Sequence, residues 1–161
     1  MTFLEKMHDI SFEKYIEEFI PSYARDNVLS GLCSEENSIA IARNTIEKLL
    51  PQGLLTSDNF LFDVHAQVEQ PSIGMLWFLV QEKDGKKLAF LCDVRIKPEH
   101  QRLGHATRAL VLVEEKVKAM GISGIALHVF GHNVGAQSLY QKLGFRPTNI
   151  NMLKQVGYDN A

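Results

Sequence analysis

The chain has 161 residues, which is enough for one domain with a sizeable hydrophobic core and too few for two ordinary domains. Its 17 basic and 19 acidic side chains give a net charge of −2, so no overall positive field attracts nucleic acid or an anionic membrane. A hydrophobic fraction of 45% with 22% charged residues excludes a largely disordered chain. The sequence therefore predicts a single globular domain spanning residues 1–161.

Two amphipathic helices are predicted in the first fifty residues. In the first, apolar side chains recur at three- and four-residue steps after a Ser11 cap, which predicts a helix over 11–26 that Pro21 kinks or ends. In the second, Ser34 precedes two acidic residues and a regular apolar face, which predicts a helix over 35–50. Neither helix carries a motif that identifies a substrate.

Three strands follow the helices. Apolar and polar residues alternate over 60–68, which is typical of a half-buried strand, and 72–81 is an almost wholly apolar second strand. Asp84 and Gly85 predict a tight turn into a third strand over 88–96. Because the connections are short, the three strands are expected to form an antiparallel meander.

The last third of the chain alternates helices and strands. The predicted elements are a helix over 103–120 that ends at Gly121, a strand over 124–130, a short helix that carries Ala136 and Leu143, and a strand over 148–156. The long crossover between strands 88–96 and 124–130 makes them parallel neighbours. The order predicts a mixed α/β domain, and ligands in such domains favour the carboxyl ends of the parallel strands.

Gly104 stands where a helix is predicted to begin, although glycine inside a helix costs roughly 1 kcal/mol relative to alanine. A helix N-terminus presents unpaired N–H groups to an anion, and small residues such as Gly104 and Ala106 let a phosphate approach the backbone. Arg102, His105 and Arg108 add actual or potential positive charge nearby. The alternative is a closely packed strand-to-helix turn. No Walker loop or GxGxxG fingerprint occurs, which disfavours nucleotide triphosphatases and Rossmann dehydrogenases.

The run VRIKPEHQRLGHA resembles the acetyl-CoA pyrophosphate loop of the GNAT N-acetyltransferase superfamily, with Gln101, Gly104 and Ala106 at the matching positions. The run LHVFGHNVGAQSLYQKLGF, at 127–145, is similar to the second block of that family, in which a strand, an asparagine and a helix lead to Leu-Gly-Phe. The resemblance covers 88–156 well and the strands from Phe60 more loosely, and the first fifty residues match only in being helical. It implies a mixed, mostly antiparallel sheet that is flanked by helices and contains two splayed parallel strands.

The resemblance also implies acetyl-CoA as the cosubstrate. Backbone groups at two positions of the preceding strand are implied to hold the pantetheine arm and the thioester carbonyl, and the loop is implied to hold the pyrophosphate. Tyr140 is implied to lie beside the sulfur and to protonate the departing thiolate, whereas its helical spacing alone indicates a core aromatic. The implied cofactor-binding residues are Val94, Ile96, Gln101, Arg102, Leu103, Gly104, His105, Ala106, Asn133 and Tyr140.

The sequence offers two candidates for the general base. Many members of the family have a glutamate in the strand before the loop, whereas LAFLCDVRI contains none. Asp93 is the carboxylate of this strand and is expected on the opposite face from Val94, where it binds a cationic substrate, acts through water, or merely pairs with Arg95. His128 is the second candidate base, with a structural role as its alternative.

No metal site is predicted, because His128 and His132 straddle a strand end and lack a third ligand. Cys92 is expected on the face of Val94 as a small buried hydrophobe. With no CxxC pair, the cysteines fit a reducing compartment, and the first residues lack the pattern of a secretory signal. A cytoplasmic location is therefore expected, and no apolar run is long enough for a membrane helix.

These observations favour an acetyl-CoA-dependent N-acetyltransferase that acetylates a primary amine of an unidentified acceptor by direct attack in a ternary complex. The alternative is a non-catalytic acyl-CoA-binding sensor or interaction module, which the missing glutamate permits. A structural domain without a cofactor is a third reading. The expected partners are the amine acceptor and a second copy of the chain in a homodimer, with neither nucleic acid nor a membrane.

Overall fold

The computed structural model describes residues 1–157, which contain five strands and four α-helices. In chain order the strands are β1 (Phe3–Lys6), β2 (Asn59–His65), β3 (Gly74–Lys83), β4 (Lys86–Ile96) and β5 (Ile125–Leu127). The helices are α1 (Asp9–Leu29), α2 (Glu35–Leu49), α3 (His105–Ala119) and α4 (Val134–Lys142). None of the helices in this described part is long and apolar enough to cross a membrane.

The strands form one sheet in the order β1-β2-β3-β4-β5, with antiparallel pairing up to β4 and parallel pairing between β4 and β5. The β3–β4 hairpin turns at Asp84 and Gly85, whose φ angles of 53° and 74° are the left-handed values that a two-residue hairpin turn requires. α3 makes the crossover that parallel pairing needs. The predicted meander and the mixed, mostly antiparallel α/β class are confirmed.

Helices cover both faces of the sheet. α1 and α2 pack on one face, where Tyr15 and Phe19 join Trp77 in a buried cluster. α3 and α4 cover the other face, where Val113 joins Leu76 in a second cluster. Leu76 and Trp77 are neighbours in β3 and enter different clusters because successive side chains of a strand point to opposite faces. Burial on both faces explains the nearly continuous apolar sequence of β3.

The N-terminal region differs from the prediction. β1 is an edge strand of four residues, too short for its alternation to be recognised in the sequence. α1 begins at Asp9 rather than after Ser11, and Pro21 lies inside the helix without ending it. The helix continues because Phe19 and Ala24, on either side of the proline, are buried against the sheet, which offsets the lost backbone hydrogen bond.

Three boundaries in the C-terminal half are also corrected. No strand forms over 148–156, which is exposed and has no regular secondary structure. A strand needs a partner, and β5 at the edge of the sheet has only three residues and pairs with β4 alone. For the same reason the strand predicted over 124–130 ends at Leu127. α3 starts at His105, two residues later than predicted, whereas α2 agrees with its prediction.

Candidate functional site

A cleft opens where β4 and β5 separate. Their parallel pairing ends at Leu91 and Leu127, although β4 itself continues to Ile96. The cleft has a volume of about 980 Å³ and is lined by β4, the loop before α3, the segment from β5 to α4, and the first two helices. It therefore lies at the carboxyl ends of the two parallel strands, where the sequence predicts a ligand.

A β-bulge in β4 decides which side chains face the first helices. The β3–β4 ladder passes from Leu91 directly to Asp93, which leaves Cys92 as an extra residue. Cys92 consequently packs against the cluster beneath α1 and α2, on the side of Asp93. The prediction that Cys92 shares the face of Val94 is wrong, because simple alternation does not allow for a bulge.

The backbone groups of Val94 and Ile96 face the open side of β4. Along a strand, residues whose side chains point to the same face of the sheet also point their N–H and C=O groups toward the same edge. Ala89 lies on the α3 face and donates its N–H toward β5, to the carbonyl of Gly124 at 3.1 Å. Val94 and Ile96 lie on that same face, so their backbone groups point past the end of β5. The Ile96 carbonyl accepts a hydrogen bond from Gln101 Nε2 at 2.8 Å.

Gly104 is the N-cap of α3 and not an interior residue. Its φ of 82° is left-handed, and a residue with a Cβ would be strained there by roughly 1–2 kcal/mol. Arg102 has a left-handed φ of 62°, so the loop turns sharply twice. The backbone N–H groups of residues 103–107 donate to no acceptor within residues 1–157. Together with the dipole of α3, these groups form an arrangement suited to an anion.

A network of hydrogen-bonded polar side chains supports this loop. Thr2 Oγ1 lies 2.9 Å from His105 Nδ1 and accepts a hydrogen bond from Arg108 Nε at 2.8 Å. Arg108 Nη2 donates to the carbonyl of Leu103, also at 2.8 Å. Burial, and after it the charge of Arg108, lowers the pKa of His105, so the imidazole is neutral near pH 7. Of the three residues expected to add actual or potential positive charge, Arg102 and Arg108 therefore supply it near pH 7.

Tyr140 projects from α4 into the wall of the cleft. Its ring is partly buried and meets the ring of Phe145 edge to face, with 5.7 Å between their centres. Burial, and after it the negative charge of Asp93, raises the pKa of Tyr140 to about 12. The phenol is therefore protonated at neutral pH, as a proton donor must be. Asp93 and Tyr140 both line the cleft.

Asp93 is held by two hydrogen-bond donors. The hydroxyl of Tyr15 donates to Oδ2 at 2.8 Å, and Arg95 Nε donates to the same oxygen at 2.7 Å. Burial, and after it the charge of Asp93, raises the pKa of Tyr15 well above its ordinary value. Within residues 1–157 the other oxygen, Oδ1, accepts no hydrogen bond. Asp93 thus pairs with Arg95 and still retains one carboxylate oxygen for a further contact.

The remaining predicted residues differ in their surroundings. His128 lies in the cleft wall just beyond β5, exposed, with its ring perpendicular to that of Phe130 at 5.0 Å. Asn133 caps α4, because its Oδ1 accepts the N–H of Ala136 at 3.2 Å. Leu103 does not line the cleft, and its side chain is 60% exposed.

Several residues of the cleft were not predicted from the sequence. Phe19 and Tyr23 of α1 line the cleft, although their helical spacing indicates only a core face. Oδ1 of Asp26, also on α1, lies within hydrogen-bond distance of His132 Nε2 in the segment before α4, at 2.9 Å. These residues are 106 positions apart, so no local pattern connects them. The packing of α1 across the cleft is what brings them to the site.

The cleft has separated parallel strands and an unpaired helix N-terminus beside an open strand edge, which is the arrangement that the resemblance to the acetyltransferase family implies. The model of the acetyltransferase (GNAT) family matches residues 39–145. The chain belongs to the GNAT acetyltransferase family, and the resemblance inferred from its two sequence blocks is confirmed.

Relatives and solved structures agree with this family. YycN and YdgE of Bacillus subtilis (strain 168), both named as uncharacterized N-acetyltransferases, are each 29% identical to the chain over 153 residues, covering 95% of it and 97% of the relative. The crystal structure of YycN matches with a TM-score of 0.93 at 28% identity, covering 98% of this chain and 100% of that one. AAC(6')-Iy, solved with the bisubstrate analog CoA-S-monomethyl-acetylneamine, matches at a TM-score of 0.63 and 15% identity, covering 98% and 99%. The last likeness concerns the fold alone.

Proposed function

We propose that the protein transfers the acetyl group of acetyl-CoA to a primary amine by direct attack within a ternary complex. The observation that carries the proposal is the open edge of β4 next to the unpaired N–H groups at the start of α3. One cleft then offers backbone partners for an amide-containing arm and an anion site for a pyrophosphate. CoA carries these two features along one extended molecule. The CoA-derived analog bound to AAC(6')-Iy supports the same choice of cosubstrate.

The cofactor contacts follow from the positions of the backbone groups. Val94 and the N–H of Ile96 are proposed to bind the pantetheine arm and the thioester carbonyl, and Asn133 to bind the arm from the opposite wall. The pyrophosphate is proposed to lie on the loop from Gln101 to Ala106, with charge from Arg102. Leu103 contributes its backbone N–H to this loop, since its side chain is exposed.

The reaction needs an attacking nitrogen, a leaving sulfur and two proton transfers. The lone pair of the neutral amine attacks the thioester carbonyl carbon, a C–N bond forms, and the C–S bond breaks to release a thiolate. Tyr140, whose raised pKa keeps its phenol protonated, donates a proton to the thiolate and regains one from solvent. The nitrogen gives up one proton, so the products are an amide and the free CoA thiol.

We propose that Asp93, rather than His128, is the general base that accepts the proton of the amine. Asp93 and Tyr140 both line the cleft, which supports a position of the carboxylate near the proposed site of the sulfur. His128 is exposed and stacks edge-on against Phe130. Asp93→Asn should lower kcat/KM by at least ~100-fold, whereas His128→Gln should leave kcat/KM nearly unchanged. The opposite result would reassign the base.

Three further parts of the proposal concern the whole protein. A single catalytic domain over 1–161 is supported by the one sheet that joins β1 to β5. A homodimer is supported by Ile150, Met152 and Val156, whose 70%, 89% and 84% exposure leaves apolar surface for a second copy to cover. A cytoplasmic location is supported by Cys33 and Cys92, which are both free thiols.

The cofactor site is tested by calorimetric titration with acetyl-CoA. Gly104→Glu puts bulk and negative charge at the proposed phosphate site and should lose at least ~100-fold in affinity. Gly121→Glu is the matched control, because Gly121 also has a left-handed φ of 76° but lies in open space at the far end of α3. Failure of the native chain to bind acetyl-CoA would refute the function. Binding without acetylation of any amine would favour the acyl-CoA sensor.

A further inference from the structure

Arg95 lies near the end of β4 and forms part of the cleft wall on the side of α1. Its Nε donates to Asp93 Oδ2 at 2.7 Å. Its guanidinium carbon lies 5.6 Å from the ring centre of Phe19 and 6.0 Å from that of Tyr15. These contacts restrict the orientation of the guanidinium, although 31% of the side chain is exposed.

The two terminal nitrogens of Arg95, Nη1 and Nη2, donate to no acceptor within residues 1–157. Arg108 provides a contrast, because it donates from both Nε and Nη2 to acceptors of the protein and thereby supports the loop before α3. Polar groups that are partly removed from water are normally hydrogen-bonded. Arg95 therefore presents a restrained pair of donors to whatever occupies the cleft.

The surroundings of Arg95 indicate what these donors bind. Asp93 occupies Nε, and Asp26, another carboxylate of the cleft, is paired with His132 at 2.9 Å. Phe19 lies against Arg95, and the lining of the cleft also includes the apolar or aromatic residues Tyr23, Trp77, Leu79 and Phe90. A planar guanidinium with two free nitrogens matches a carboxylate in a bidentate arrangement. The ligand must supply this carboxylate.

On the basis of the proposed N-acetyltransferase function, we propose that the acceptor is an amino carboxylic acid whose carboxylate is bound by Nη1 and Nη2 of Arg95. Asp93 lies beside its amine. Because Asp93 and Arg95 are hydrogen-bonded to each other, the two groups of the acceptor are separated by only a few bonds, as in an α-amino acid. The aromatic wall favours an apolar side chain. Acetylation forms the C–N bond, breaks the thioester C–S bond and leaves the carboxylate unchanged.

The substrate class is tested with apolar L-amino acids and the matching carboxamides, which keep the amine and the side chain but lack the carboxylate. Release of the CoA thiol gives kcat/KM for each compound. We expect a preference of ~10–100-fold for the acids, the size of a charge-assisted contact. The amine of a carboxamide is less basic than that of the acid, and this difference alone affects the rate. The decisive quantity is therefore the change, between the native chain and its variants, in the ratio of kcat/KM for the acid to kcat/KM for the carboxamide.

Arg95→Met removes the guanidinium and keeps an apolar contact with Phe19, so the preference should fall by at least tenfold. Arg95→Lys keeps the charge but lacks the paired donors, so this variant should lose part of the preference for the acids. Arg25→Met is the matched control, because Arg25 is an exposed residue of α1 outside the cleft. This variant should keep the preference of the native chain for the acids. Acetyl-CoA titration of each variant shows that it is folded and retains the cofactor site.

The outcomes separate this inference from the proposed function. A native enzyme that acetylates carboxamides as well as the acids overturns the inference and leaves the N-acetyltransferase function standing. The same holds if Arg95→Met keeps the preference, or if acetyl-CoA binds but no amino acid is acetylated. Failure to bind acetyl-CoA overturns both.

Discussion

The hydroxyl of Tyr15 donates a hydrogen bond of 2.8 Å to Asp93 Oδ2 and thereby joins α1 to β4 across 78 positions of the sequence. The contact has two consequences. It holds the first helix on the sheet, and it orients the carboxylate that we assign as the base. Stability and catalysis are therefore expected to respond together when this pair is altered.

Stability should decrease at alkaline pH because of this pair. Burial, and after it Asp93, raises the pKa of Tyr15 above its ordinary value of 10.0, so the folded chain holds the phenol proton more tightly than the unfolded chain does. The contribution is fully present below pH 10 and is lost as the pH rises above it. Denaturant unfolding across this range should show a smaller decline for Tyr15→Phe. Equal slopes would contradict the prediction.

Removal of the Tyr140 hydroxyl should affect chemistry and not cofactor binding. Tyr140→Phe keeps the ring against Phe145 and loses the proton donor, so kcat should fall by ~100-fold. The dissociation constant of acetyl-CoA should change less than about twofold. Steady-state kinetics and calorimetry measure the two effects separately. Unchanged turnover would show that another group protonates the thiolate.

His105 should make the protein less stable in acid. Burial, and after it the Arg108 charge, lowers the pKa of His105 from its ordinary value of 6.5, so the unfolded chain takes up the proton more readily. The contribution is complete above pH 6.5 and is lost as the pH falls through the lowered pKa. Unfolding free energies of His105→Gln between pH 4 and 7 should be less pH-dependent than those of the native chain. His128→Gln, at an exposed position, serves as the control.

The exposed segment after α4 should govern self-association. The double variant Ile150→Asp with Met152→Asp puts charge into the proposed contact and should shift the protein from dimer to monomer in light scattering. Leu55→Asp with Val68→Asp is the control, because these side chains are 85% and 69% exposed elsewhere on the surface. A native chain that is monomeric at all concentrations would contradict the dimer.

The sequence predicted the elements in which the apolar pattern, or a turn motif, extends over enough residues to be recognised. The apolar stripe of α3, the alternation of β2 and the Asp84-Gly85 turn each follow from local rules, and all three are present. β1 and the failed strand at 148–156 show the limit, because whether a short segment pairs depends on a free partner edge and not on its own residues.

By itself, the sequence determined the family, the loop around Gly104 and the candidate role of Tyr140, because these depend on residues close together in two blocks. Only the tertiary structure decided the face of Cys92, the neutral state of His105 and the contact of Asp93 with Tyr15. The physical reason is that a bulge, burial and a contact across 78 positions are properties of packing. No local spacing encodes them.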